Sequence, residues 1–125
     1  MTTIGSKYRG KKEFLLVYCA LIQAARMRKL VYYKQVWRCL DIPAAGNHYA
    51  REVGQVLGEV SEDEHEAGRP MLSAIAVNEA GFPGQGFFTL ARRLGKLHEG
   101  MPENEFLEAE RQLVYAEWKP FGAAD

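Results

Sequence analysis

Two cysteines, three histidines and two tryptophans in 125 residues leave little material for several common chemistries. Cys19 and Cys39 lie far apart, with no CxxC spacing, so two buried thiols are expected rather than a disulfide or metal site. Histidines 48, 65 and 98 are scattered among charges, with no serine or cysteine nucleophile in a recognisable setting. A hydrolase built on His65 or His98 therefore has weak grounds, and no enzymatic activity is expected. No apolar run reaches the roughly 18 residues a transmembrane helix needs. Phe14–Ile22 is apolar and follows basic residues, but its amphipathic pattern continues beyond it and no small-residue cleavage site follows. A cytoplasmic protein with no membrane partner is the expectation.

Net charge of either sign is also missing, with 16 Lys/Arg against 16 Asp/Glu. That balance argues against tight non-specific nucleic-acid binding. It conceals an uneven distribution, however. Residues 1–40 carry nine basic residues and one Glu, residues 41–80 two basic and eight acidic, and residues 81–125 five basic and seven acidic. A basic first third suits phosphate contacts, provided the acidic middle points away from them.

Length and an apolar share of 47% are those of one globular unit. Residues 1–11 read as a flexible basic arm, 12–118 as a single domain and 119–125 as a C-terminal tail. Phe14, Val17, Tyr18, Leu21 and Ala25 share one face of a helix that runs to about Arg28. Leu30–Tyr32 suits a short strand. Tyr33, Val36, Trp37 and Leu40 mark a second helix closed by Pro43 and Gly46. Asn47 is placed to cap a third helix, with Tyr49, Val53, Val56, Leu57 and Val60 inward and His48, Arg51, Glu52, Gln55 and Glu59 outward.

Ser61–Glu66 reads as a solvated loop or helix end, because consecutive carboxylates cannot all converge on one ion. Leu72–Val77 alternates like a strand, Asn78–Gly81 is a turn, and Phe82–Phe87 returns as an irregular strand. Its GxG lacks the further residues of a nucleotide loop, so no nucleotide or other small-molecule cofactor is expected. Phe87–Leu97 is helical, with Arg92, Arg93 and Lys96 outward. After Gly100–Pro102 a last helix carries Phe106, Leu107, Leu113, Val114 and Trp118 as its apolar side.

Two short helices about a Pro/Gly turn, then a hairpin, is the order of a winged helix-turn-helix within a mostly helical α+β fold bearing extra terminal helices. Asn, His, Arg and Gln on the outer face of the second helix can reach base edges. Any amphipathic helix has a polar face, so this spacing is a weak signal by itself.

Val31–Val36, Ala50–Gly54 and Arg69–Pro70–Met71 together resemble the DNA-binding domain of O-6-alkylguanine-DNA alkyltransferases and the non-catalytic alkyltransferase-like proteins. The order of motifs matches over roughly residues 30–100. The resemblance implies that Tyr33 helps rotate a nucleotide phosphate and that Arg51 fills the gap left by a flipped base. Met71 stands where the alkyl-accepting cysteine would be, and a thioether cannot form the thiolate that displacement needs. Leu72–Ser73 replace His-Arg, and two extra residues separate Pro70 from the turn at Val77–Asn78. Gly68–Ala74 followed by Pro83–Phe87 is also similar to uncharacterised prokaryotic or phage-associated small proteins, a likeness that implies no activity.

The expected function is thus non-catalytic DNA binding, duplex foremost, with recognition of a flipped or modified base. Its DNA-binding residues are Tyr33, Lys34, Asn47, His48, Arg51, Gln55 and Arg69. The alternative is a protein-binding adaptor or inhibitor on the same scaffold, for example of a nucleic-acid-processing or phage-defence enzyme. Zero net charge, the Glu62–Glu66 run and the glutamates of the third helix motivate it.

Overall fold

Helical periodicity dominates the sequence, and the computed structural model, which describes residues 4–42 and 48–122, is mostly helical. In chain order it contains α1 (Lys12–Arg26), β1 (Val31–Tyr32), α2 (Tyr33–Leu40), α3 (His48–Glu66), a 3₁₀ turn (Leu72–Ile75), β2 (Ala76–Val77), α4 (Gln85–Arg93) and α5 (Glu103–Glu117). No helix among the described residues is long and apolar enough to cross a membrane. Pro43, Gly46 and Asn47, expected to close α2 and cap α3, lie outside the described residues.

The inward face expected for α1 is the one buried, with Val17, Leu21 and Ala25 fully enclosed. On α3 the buried apolar positions are Val53, Val56, Leu57 and Val60, while Tyr49 stays partly exposed against Trp37. Cys19 is exposed and Cys39 half-buried, so the expected pair of buried thiols is corrected at Cys19. Leu113 likewise faces solvent on α5.

The region expected to form an antiparallel wing folds differently. Residues 71–77 are buried without alternation, and a one-sided strand cannot satisfy that pattern. Leu72–Ile75 instead turns tightly beneath α3 and α5. The chain then pairs parallel with β1, Val31 opposite Ala76 and Tyr32 opposite Val77. The turn that follows is closed by Asn78, whose Oδ1 accepts from the amides of Ala80 and Phe82 at 2.9 and 3.2 Å. Pro83 and Gly84 lead straight into α4, so Gln85–Phe87 is helix rather than a returning strand.

The N-terminal segment and the acidic run, read separately as arm and surface, are partners. α3 continues through the run to Glu66, and Glu52, Glu59, Glu62 and Glu64 are all buried on it. Glu52 and Glu59 are therefore corrected from the outward face to the interior, and Ser61–Glu66 is the end of a helix, with Ser61, Glu62 and Glu64 buried rather than solvated. Buried carboxylates need hydrogen-bond donors; residues 4–9 supply them to Glu52, Glu59 and Glu62, and Tyr18 and Arg69 to Glu64. The amides of Lys7, Tyr8 and Arg9 donate to the Glu59 carboxylate at 3.0, 2.9 and 2.9 Å. The Ile4 amide donates to Glu62 at 2.9 Å, and Arg9 reaches Glu62 and Asp63 at 2.8 and 2.9 Å. Part of the expected free arm is thus a strap laid along α3. Gly58 permits the close approach: a Cβ there would collide with Cδ1 of Ile4.

Glu52 holds the strap through Lys7 Nζ and the Tyr8 hydroxyl, both at 2.5 Å. These two contacts, Lys7 first, bring its pKa down from the ordinary 4.5 to about 2. A carboxylate with a lowered folded pKa stabilises the fold above its unfolded pKa, and that contribution disappears as pH falls through the folded value. Stability should therefore drop as pH goes from about 4.5 towards 2, with Glu52→Gln flattening this part of the profile. Urea midpoints measured at pH 6, 4 and 2.5 check it; parallel curves for the two proteins would contradict it.

Candidate nucleic-acid interface

A cavity of about 490 Å³ opens where the start of α2, the first half of α3 and the start of α4 meet. Its size lies within the range of about 300–1,000 Å³ usual for ligand clefts. Ala50, Gly54 and Gly58 recur every four residues on α3 and line it, so this stripe of the helix is stripped of side-chain bulk. A Cβ on Gly54 or Gly86 would meet nothing within 4 Å, which marks open space on the α3 and α4 sides. Phe87, Leu57, Leu90 and Ile4 supply apolar wall. Two guanidiniums, Arg51 and Arg93, stand in the lining, and no carboxylate contributes to it among the described residues.

The polar groups in the wall are individually anchored. Tyr33 Oη accepts a hydrogen bond from the Gly84 amide at 2.6 Å, tying α2 to the entry of α4. Burial pushes the Tyr33 phenol upward. The hydroxyl thus keeps its proton at neutral pH and can donate it. Ser73, on the 3₁₀ turn, shares a hydrogen bond with Ser61 at 2.6 Å, and its own amide donates to Ser61 Oγ at 3.1 Å.

Of the residues expected to bind DNA, Tyr33 and Arg51 come together at this cavity. Arg51 is two-thirds exposed, contacts the His48 ring, and lies 3.3 Å from Glu52. His48 is exposed at the start of α3, beside Arg51. Lys34 is exposed on α2 but paired with Glu79 at 2.7 Å. Asn47 lies outside the described residues. Gln55 is not a free reader of bases: its Nε2 donates to the Gly5 carbonyl and to Glu59, both at 2.8 Å, under the strap. Arg69 is not in the cavity lining; it pairs with Glu64 at 2.7 Å and lies over the Trp118 ring at 5.5 Å. Arg93, Ser73 and the Gly84–Gly86 entry to α4 are not expected at the site from sequence. The Arg92–Arg93 pair and the GxG are visible there, but their convergence needs α4 to begin at Gln85.

Met71 is fully buried and is not among the residues lining the cavity. Of the acidic residues that motivate a protein-partner reading, Glu52, Glu59, Glu62 and Glu64 are enclosed, Asp63 is partly exposed and Glu66 is exposed. Among the described residues no group of three or more His, Cys, Asp or Glu is placed to hold a metal ion. Comparison with known proteins finds no matching family model, no matching curated protein and no matching solved structure.

Proposed function

We propose that the chain is a non-catalytic DNA-binding protein that uses α2 and α3 as a helix-turn-helix and receives a flipped or modified base in the α2–α3–α4 cavity. The observation that carries this reading is the cavity itself, which joins an apolar wall to two guanidiniums with no carboxylate in its lining among the described residues. Anionic backbone and a flat base are the two halves of what such a lining favours. Exposed at its rim, Arg51 can take the place of an extruded base in the stack. The Tyr33 hydroxyl, accepting from Gly84, retains its proton for a phosphate oxygen. In this reading the loop from Asn78 to Gly84 serves as the wing, in place of an antiparallel hairpin. The buried Met71 thioether offers no nucleophile, so a bound base is held rather than repaired.

Enclosure of Glu52, Glu59 and Glu62 also supports the reading, because these carboxylates, which would repel phosphate, face the strap. The test is fluorescence anisotropy with a plain duplex, a single strand and an alkylguanine-containing duplex at two salt concentrations. Binding should weaken steeply with salt and favour the modified duplex. Arg51→Ala should lose about tenfold on that duplex, the scale of one charge-assisted contact. Absence of any salt-sensitive binding would sink the proposal.

A further inference from the structure

Beside the first cavity lies a second, of about 260 Å³, lined by Tyr32, Tyr33, Lys34, Tyr49, Asn78 and Glu79. Tyr33 belongs to both linings. We infer that this tyrosine-walled recess is a second nucleobase subsite, which takes the base adjacent to the one in the first cavity. The inference rests on the proposed DNA binding.

Three aromatic rings around one small recess are more than a helix-turn-helix core requires, and two of them are fixed from behind. Tyr33 is held by the Gly84 amide, and Tyr49 packs on Trp37 with ring centroids 5.3 Å apart. Tyr32 is anchored through its backbone, pairing with Val77 and donating its amide to Gln35 at 2.8 Å. Its ring is nearly half exposed, at 47%. Rings already held in place bind a flat π-face with little ordering cost.

The rim supplies what a base edge needs. Lys34 and Glu79, paired at 2.7 Å, present a donor and an acceptor side by side. Asn78 Oδ1 is occupied by the amides of Ala80 and Phe82, which orients its Nδ2 group as a donor. An aromatic recess can also take a cation, but here the one carboxylate in the lining, Glu79, is already paired with Lys34, so the recess carries no net charge to attract one. Continuity with the first cavity through Tyr33 favours neighbouring bases of one strand.

The experiment compares two labelled duplexes by anisotropy, one with a single unpaired nucleotide and one with two adjacent unpaired nucleotides. Wild-type protein should bind the second about tenfold more tightly, as expected of one added stacking contact. Tyr32→Ala should remove most of that gain and leave the one-nucleotide duplex unchanged, whereas Tyr32→Phe, which keeps the ring, should retain it. Extra flexibility of the two-nucleotide probe would help all three proteins equally, so the variants isolate the subsite. If the one-nucleotide duplex binds in an Arg51-dependent way but the second nucleotide adds nothing, or Tyr32→Ala keeps the gain, the subsite is overturned and the DNA-binding proposal stands. No binding to either duplex would overturn both.

Discussion

Glu59→Ala will lower stability by about 3 kcal/mol, the scale of breaking a buried, hydrogen-bonded charge. Glu59 is fully enclosed, and its carboxylate accepts from three consecutive backbone amides and from Gln55. Alanine leaves those amides facing a cavity. The loss is limited by the strap's freedom to leave α3 and find water, which then exposes Tyr8 and Ile4. Asp63→Ala provides the control: that side chain is one-third exposed and shares Arg9 with Glu62, so it should cost less than about 1 kcal/mol. Urea denaturation of the two variants decides the matter. Equal midpoint shifts would mean that the Glu59 cluster is not what holds the strap.

The second large effect is on binding. Removing both cavity guanidiniums, Arg51→Ala with Arg93→Ala, should weaken duplex affinity by about 100-fold, each contact contributing on the order of 1–3 kcal/mol. The dependence of log affinity on log salt should become shallower by about 0.9, because the phosphate facing Arg93 is no longer neutralised, while the loss of Arg51 acts through the base stack. Both side chains are exposed, and Glu52 keeps Lys7 and Tyr8 when Arg51 is gone, so the fold should be undisturbed. A weakening below threefold with an unchanged salt slope would place the nucleic-acid surface elsewhere.

The legible parts of the fold are those in which a residue's neighbours along the chain decide its environment. The inward face of α1 and the limits of α2 follow from apolar spacing alone, and Tyr33 and Arg51, singled out in the sequence, both line one cavity. The acidic run reads as surface because glutamate is ordinarily a surface residue. Nothing local reveals that the donors of Glu62 and Asp63 come from residues 4–9. The same long-range pairing converts Gln55 from a reader of bases into a brace for the strap. Arg69 leaves the site for a related reason: its carboxylate, Glu64, lies only five residues before it, and a pair that close satisfies itself. The expected wing gives way to burial on both sides, which alternation of apolar and small residues does not distinguish from a one-sided strand.

The strap also bears on the order in which the molecule can assemble. Its hydrogen bonds to Glu59 and Glu62 join residues 50 to 58 positions apart. Closing so long a loop carries an entropic penalty that only a formed α3 can offset. Helices α1 and α2, whose contacts are nearer in sequence, have no such prerequisite. The opening residues of the chain are therefore among the last to find their place, and contacts made after the rate-limiting step govern how fast a protein comes apart rather than how fast it folds. Glu59 and its amides are thus expected to weigh on the rate of unfolding rather than on that of folding.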